Sequence, residues 1–246
     1  MELEGKTALV TGASRGIGKA IAAKLSSKGA FVIGTSTTQK GADGVTKELE
    51  KSGKGVGRVL DVGDQESIDR LFAQIKENHE APLILVNNAG ITRDNIALRM
   101  KDEEWDDVLN TNLTSIYRLT KKTLRGMTKQ RWGRIINISS VVGSMGNPGQ
   151  SNYAAAKAGL EGYSRALASE LGSRSITVNC VAPGFIATDM SESLPEQQRE
   201  ALLARVPAGR LGEPSEIAAL VAFLASEQAA YITGETIHIN GGLYMA

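Results

Sequence analysis

Thr11-Gly12-Ala13-Ser14-Arg15-Gly16-Ile17-Gly18 joins a short apolar run, residues 8–11, to a stretch of helical pattern, residues 19–28. Three glycines spaced G-x3-G-x-G between a strand and a helix mark a turn that can receive a dinucleotide pyrophosphate. Gly12 permits the tight turn, Gly16 lets backbone approach the phosphates, and Gly18 lets the helix pack close to the strand. The helix would then face the anion with free N–H groups and the positive end of its dipole.

Outward from this turn, β-branched and apolar runs alternate with amphipathic stretches to the end of the chain, the pattern of a parallel α/β sheet. Strands are expected at residues 8–11, 31–34, 56–61, 83–87, 134–139, 177–182 and 236–239, enough for one doubly wound sheet of seven strands. Helical period is clearest in Ile68, Leu71, Phe72 and Ile75 behind an Asp64 cap, and again in Ile217, Leu220, Val221 and Leu224. A longer amphipathic stretch covers residues 103–129, and a small-residue helix covers 151–171. With 246 residues and no linker or low-complexity segment, a single domain spanning 1–246 is expected. Loops that follow the strands share one edge of such a sheet, where ligands bind.

Composition removes several classes of function. One cysteine forbids an internal disulfide, and Cys180 with His79 and His238 cannot supply a zinc site, so no metal is expected. Cys180 reads as a small core residue and His238 as packed in the last strand. Net charge of +1 gives no broad basic field for nucleic acid. No targeting signal opens the chain and no apolar run approaches a membrane span, so a cytoplasmic protein without a membrane partner is expected.

About 20 residues beyond a dinucleotide fingerprint an acidic side chain usually holds the 2′-hydroxyl of NAD. Here that place reads Gly34-Thr35-Ser36-Thr37-Thr38, with no carboxylate until Asp43. Arg15 and the hydroxyls, Thr37 among them, suit a 2′-phosphate instead, which favours NADPH over NADH. Tyr153 and Lys157, four apart, share one face of the small-residue helix, and an ammonium beside a phenol favours the phenolate. Ser140 follows the fifth strand on the same loop edge, and Asn112 lies among the apolar residues of the long amphipathic stretch.

In the order Thr11 to Gly18, Asn87-Asn88-Ala89-Gly90, Asn112, Ser140, Tyr153, Lys157 and Pro183-Gly184, the whole chain resembles the short-chain dehydrogenase/reductase family. The resemblance implies a Rossmann-like fold, Tyr153 as proton donor, and Lys157 lowering its pKa and binding the nicotinamide ribose. It further implies Ser140 on the substrate carbonyl and Asn112 in a proton relay. Cofactor contacts implied or read from the turn are Gly12, Ser14, Arg15, Gly16, Ile17, Gly18, Thr37, Asp61, Val62, Asn88, Ala89, Gly90, Tyr153, Lys157, Pro183, Gly184, Ile186 and Thr188. Within the family, Asn137 to Gly143, Asn152 to Gly159, Ala182 to Met190 and Gly234 to Met245 are most similar to bacterial reductases of 3-oxoacyl chains carried on acyl carrier protein. A homotetramer in fatty acid biosynthesis is implied with them. Two departures are Asp61, where many relatives have Asn, and Ser139, where others carry Gly before the serine.

The polar run beginning at Pro195 suggests a substrate lid at about 188–207, and Lys129, Arg131 and Arg174 are expected to form a basic patch beside the entrance for an acidic carrier. Other readings are a reductase of acetoacetyl-CoA, a sugar or a steroid, or a nonenzymatic NADP-binding scaffold. The intact tyrosine and lysine argue against the scaffold.

Overall fold

A computed structural model describes residues 2–187 and 203–245. Seven strands form one sheet: β1 (Thr7–Val10), β2 (Phe31–Ser36), β3 (Lys54–Val59), β4 (Ile84–Asn87), β5 (Gly133–Ile138), β6 (Ile176–Pro183) and β7 (Thr236–Ile239). Their order is β3-β2-β1-β4-β5-β6-β7, every pairing parallel, so the strand order reverses between β1 and β4. That reversal opens a crevice at the carboxyl edge of the sheet.

Parallel strands buried on both faces must be apolar on both, and β1, β4, β5 and β6 are buried at every position. Alternation then assigns each side chain to a layer. Ala8, Val10, Val32 and Val86 pack with Ile21 and Leu25 of α1 (Gly16–Ser27), Val45 and Leu49 of α2 (Gln39–Ser52), and Ile217 and Val221 of α8 (Pro214–Leu224). Leu9, Ile33, Leu85 and Ile135 face the other side. They meet Ile68, Leu71 and Ile75 of α3 (Gln65–Asn78), Leu119 and Met127 of α5 (Ser115–Gln130), and Leu167 and Leu171 of α7 (Ser151–Leu171). Asp64 caps α3 by accepting from the N–H groups of Glu66 and Ser67, as its sequence pattern indicates.

Two departures from the sequence reading have a visible cause. The third strand starts at Lys54 instead of 56 because Ser26 Oγ accepts from Lys54 N at 2.8 Å and donates to Lys54 O at 3.0 Å, pinning the strand's beginning. The long amphipathic stretch is not one regular helix: α4 (Asp102–Leu109) passes into α5 through a π-helical segment, Asn110–Thr114. Cys180 is fully buried and His238 lies half-buried against the Tyr244 ring, 4.8 Å between centroids.

The basic patch sits elsewhere than expected. Arg131 ends α5 with φ 50°, immediately before β5, and its guanidinium donates to Ser173 O just before β6. Lys129 and Arg174 line a shallow cavity with Arg125 and Thr128. These residues therefore occupy the amino edge of the sheet, while Ser140 and Tyr153 lie at the carboxyl edge, separated by the length of β5, about 20 Å. Within one chain they do not flank the entrance. Most of the expected lid, residues 188–202, lies outside the described residues.

Candidate active site

The crevice at the strand-order reversal is a cleft of about 1020 Å³. Gly12, Ser14, Arg15, Gly16, Ile17 and Gly18 form its floor, Thr37, Asp61 and Val62 one wall, and Asn88, Ala89 and Gly90 the other. Gly12 and Gly16 take φ of 65° and 52°, the left-handed region that glycine enters without strain. Gly18 is required by crowding: a Cβ there would stand 2.1 Å from Gly12 O and 2.4 Å from Asn88 Nδ2. Arg15 caps α1 without a side-chain hydrogen bond, and no acidic residue occupies the first turn. The amino end of α1 is thus left to an external anion, and the dipole adds to the attraction.

This turn is stapled to β4. Asn88 Nδ2 donates to Thr11 O at 2.9 Å and Gly12 O at 3.1 Å, while Thr11 Oγ1 accepts from the N–H groups of Asn88 and Ala89, each at 3.0 Å. The hydroxyls at and after the end of β2 divide into two kinds. Thr35 is buried and accepts from Gly12 N, and Thr38 caps α2 by accepting from Gly41 N. Thr37 is exposed and, with Ser36, faces the cleft. Asp43 is turned aside on α2, where it accepts from Gln39 Nε2 at 2.8 Å. The end of β2 and the residue after it therefore offer hydroxyls and no carboxylate to the cleft, and the glycine turn fits a dinucleotide.

Beyond Gly90 the cleft meets α7. A Cβ on Gly90 would lie 2.5 Å from Asn112 Oδ1 and 3.9 Å from Lys157 Nζ, so this glycine lets the two groups close around it. Asn112 is fully buried in the π-helical segment; its Nδ2 donates to Ile91 O at 2.8 Å and its Oδ1 accepts from Ile91 N at 3.0 Å. The wider π turn rotates this side chain onto the loop after β4. Both ends of the amide are then occupied in holding that loop.

Tyr153 and Lys157 occupy one face of α7, with Lys157 Nζ 5.4 Å from the Tyr153 ring centroid. Ser140 caps the short helix α6 (Val141–Met145) by accepting from Val142 N at 3.2 Å, and its hydroxyl lies near enough to the Tyr153 phenol to lower it. Burial pushes the phenol above its ordinary value, the Ser140 hydroxyl pulls it back, and Asp94 raises it further. Lys157 donates to Ile138 O at 2.7 Å, and burial pushes its amine down to about 8, with Cys180 and Glu161 opposing. Sequence spacing suggests an ammonium that lowers the phenol, but in the fold desolvation sets the direction and the pull downward comes from Ser140. A phenol so placed stays protonated at neutral pH, the state in which it can give a proton.

The far wall lies apart from the main cleft. Pro183 ends β6, a Cβ on Gly184 would stand 2.8 Å from Asn240 Cα, and Ile186 pairs with Gly212 beside a cavity of about 90 Å³. Thr188 lies outside the described residues. Sequence reasoning did not single out Asn152, which is fully buried and donates to Arg93 O at 3.0 Å and Glu104 O at 3.1 Å. These bonds seat the first turn of α7 and hence Tyr153. A lone amide at the start of a helix of small residues is the signal that marks it.

The sequence model of the family described as enoyl-(acyl carrier protein) reductase matches residues 12–244. The chain is 64% identical to a 3-oxoacyl-[acyl-carrier-protein] reductase of Pseudomonas aeruginosa, covering 100% of both chains. Identity is 62% to the protein of that name from Haemophilus influenzae, over 99% of this chain and 100% of the relative. It is 60% to that from Escherichia coli strain K12, over 100% of both. With a glycine turn at the strand-order reversal, a tyrosine and lysine one turn apart at the cleft's end, and relatives matching along its whole length, the chain belongs to the short-chain dehydrogenase/reductase family.

Proposed function

We propose that this chain reduces 3-oxoacyl groups on acyl carrier protein to 3-hydroxyacyl groups in fatty acid biosynthesis, with NADPH as reductant. The observation that carries the reading is the clustering of Ser140, Tyr153 and Lys157 behind Gly90, which lines the glycine-floored cleft, in a chain 64% identical to such a reductase. The bound cofactor supplies the hydride that C3 of the substrate accepts. Ser140 and Tyr153 hold the ketone oxygen between two hydroxyls, so charge that develops on it meets donors already in place. Tyr153 passes its phenolic proton to that oxygen, and solvent restores the phenol. Lys157 would hold the ribose of a bound nicotinamide cofactor with its ammonium beside the phenol, and Asn112 keeps the loop carrying Gly90 next to that amine. Cofactor contacts are those that line the cleft, joined by Tyr153, Lys157 and the residues after β6.

The test follows NADPH absorbance with one 3-oxoacyl chain on carrier protein, on CoA and as a free ketone, beside the matching enoyl thioester, sugars and steroids. Preference for the carrier-bound ketone is expected. Turnover of the enoyl thioester without the ketone would overturn the reading, and so would preference for a sugar or steroid.

NADPH is expected to be preferred to NADH, because Arg15 and Thr37 both line the cleft and the loop after β2 brings no carboxylate to it. Thr37→Asp places a negative charge where the 2′-phosphate would rest, and repulsion of about 1 to 2 kcal/mol should cut the kcat/KM ratio of NADPH to NADH roughly tenfold or more. Equal use of both cofactors by the unmutated protein would count against the assignment.

Assembly as a homotetramer is part of the same reading. Trp105 and Tyr117 on one flank, and Phe223 and Met245 on another, are large apolar side chains left 38% to 76% exposed, as faces that meet copies would be. Sedimentation at micromolar concentration is expected to give four chains, and a monomer would refute it. No helix among the described residues is long and apolar enough to cross a membrane.

A further inference from the structure

Tyr153, Lys157 and Glu161 recur at every fourth position of α7 and so form one stripe along the helix. All three meet the exit of β5. The Tyr153 phenol lies beside the Ser140 hydroxyl, Lys157 Nζ donates to Ile138 O, and Glu161 Oε1 accepts from Ser139 Oγ at 2.7 Å. The third contact has no part in the proton transfer described above, yet it is buried like the second. Glu161 is 8% exposed and Ser139 3% exposed.

Placing a carboxylate on a buried helix face is costly unless its charge is answered nearby. The titratable groups that face Lys157 are Tyr153 and Glu161 from α7 and Cys180 from β6, while Asp94, in the loop after β4, acts on the phenol. Burial pushes the Cys180 thiol up to about 11, so it is neutral at physiological pH, and its Sγ donates to Ser164 Oγ. Among the described residues that face Lys157, Glu161 is left as the carboxylate.

We propose that Glu161 is a positioning residue: held by Ser139 one helical turn beyond Lys157 on the same buried stripe of α7, its carboxylate keeps that amine charged. The proposal rests on the reading of Lys157 as the cation of the site. Desolvation already brings Lys157 down to about 8, and Glu161 opposes that fall. Removing the carboxylate should therefore lower the amine further, so that more of it is neutral at pH 7 to 8.

The test uses the full-length protein without cofactor and follows the lysine side chains by nuclear magnetic resonance across pH. The Lys157 signal is identified by its loss in Lys157→Met. In Glu161→Gln, which keeps the shape and an acceptor for Ser139, the Lys157 midpoint is expected to fall by at least about half a pH unit. The alkaline limb of kcat/KM should move to lower pH by a similar step. Ser139→Ala, which frees the carboxylate without deleting it, should shift the midpoint less and lower kcat a few-fold. An unmoved midpoint in a folded Glu161→Gln protein overturns the proposal. If that variant does not fold, Glu161→Asp is read the same way: withdrawing the charge by one methylene should lower the midpoint by a smaller step, and no movement overturns the idea. The titration needs no substrate. A shifted midpoint in a protein that rejects 3-oxoacyl thioesters would overturn the substrate reading alone.

Discussion

Tyr153→Phe is expected to lower kcat/KM for the ketone about a hundredfold or more while the NADPH dissociation constant stays within about twofold. The phenylalanine fills the same space, so the half-buried ring remains seated on the first turn of α7, which Asn152 holds to the backbone of Arg93 and Glu104. Only the hydroxyl is lost, and with it the proton for the developing alkoxide. Ser140 retains its cap on Val142 and can still bond the carbonyl oxygen, so some turnover survives. A hundredfold loss corresponds to about 2.7 kcal/mol of transition-state stabilisation, within the range of a single general acid. Fluorescence titration with NADPH beside steady-state rates checks both halves. Near-normal turnover would remove Tyr153 from the mechanism, and loss of NADPH binding would make its role one of cofactor contact.

Lys157→Met is expected to damage two steps at once. Its stem is buried and roughly matched in volume by methionine, so packing between α7 and β5 should survive. The ammonium, however, makes the 2.7 Å bond to Ile138 O and stands 5.4 Å from the Tyr153 ring centroid. Losing a charge-assisted hydrogen bond to the ribose costs about 1.5 to 3 kcal/mol, so NADPH affinity should drop roughly tenfold to a hundredfold. Without the cation the buried phenol is pushed further toward its neutral form and the alkoxide loses a nearby positive charge, so kcat should fall about a hundredfold in addition. A variant that binds NADPH as tightly as the unmutated chain would confine the lysine to the chemical step. Unchanged kcat would confine it to binding.

The pH behaviour follows from the direction of each shift. Burial lowers Lys157 to about 8, so its charge is complete well below that pH and is lost as pH rises through it. The Tyr153 phenol, raised by burial, keeps its proton throughout that interval. Reduction is therefore expected to decline on the alkaline side through the lysine before the tyrosine ionises, and in Lys157→Met that limb should disappear.

The sequence by itself determined the layers of this protein and marked residues that the fold brings to one edge of the sheet. Strands buried on both faces must be continuously apolar, and helices against them must carry a stripe; both patterns are local and can be read along the chain. The glycine turn is equally local, since Gly12 and Gly16 need a backbone that other residues enter only at a cost. The tertiary structure decided what distant segments do to one another. Gly18 is crowded by Gly12 O and by Asn88 of a separate strand loop, and nothing in the local pattern shows that contact. The π turn at Asn112 arises because its amide is drawn to Ile91, which a helical periodicity cannot register. Arg131 and Arg174 keep their charges but lie at the opposite edge of the sheet from Tyr153, because α5 and α7 run back along it before β5 and β6 begin. Spacing places Lys157 beside Tyr153, yet only packing shows how much water both have lost. Desolvation depends on every element closed over a group, which is why the fold, and not the spacing, sets the direction in which each of them titrates.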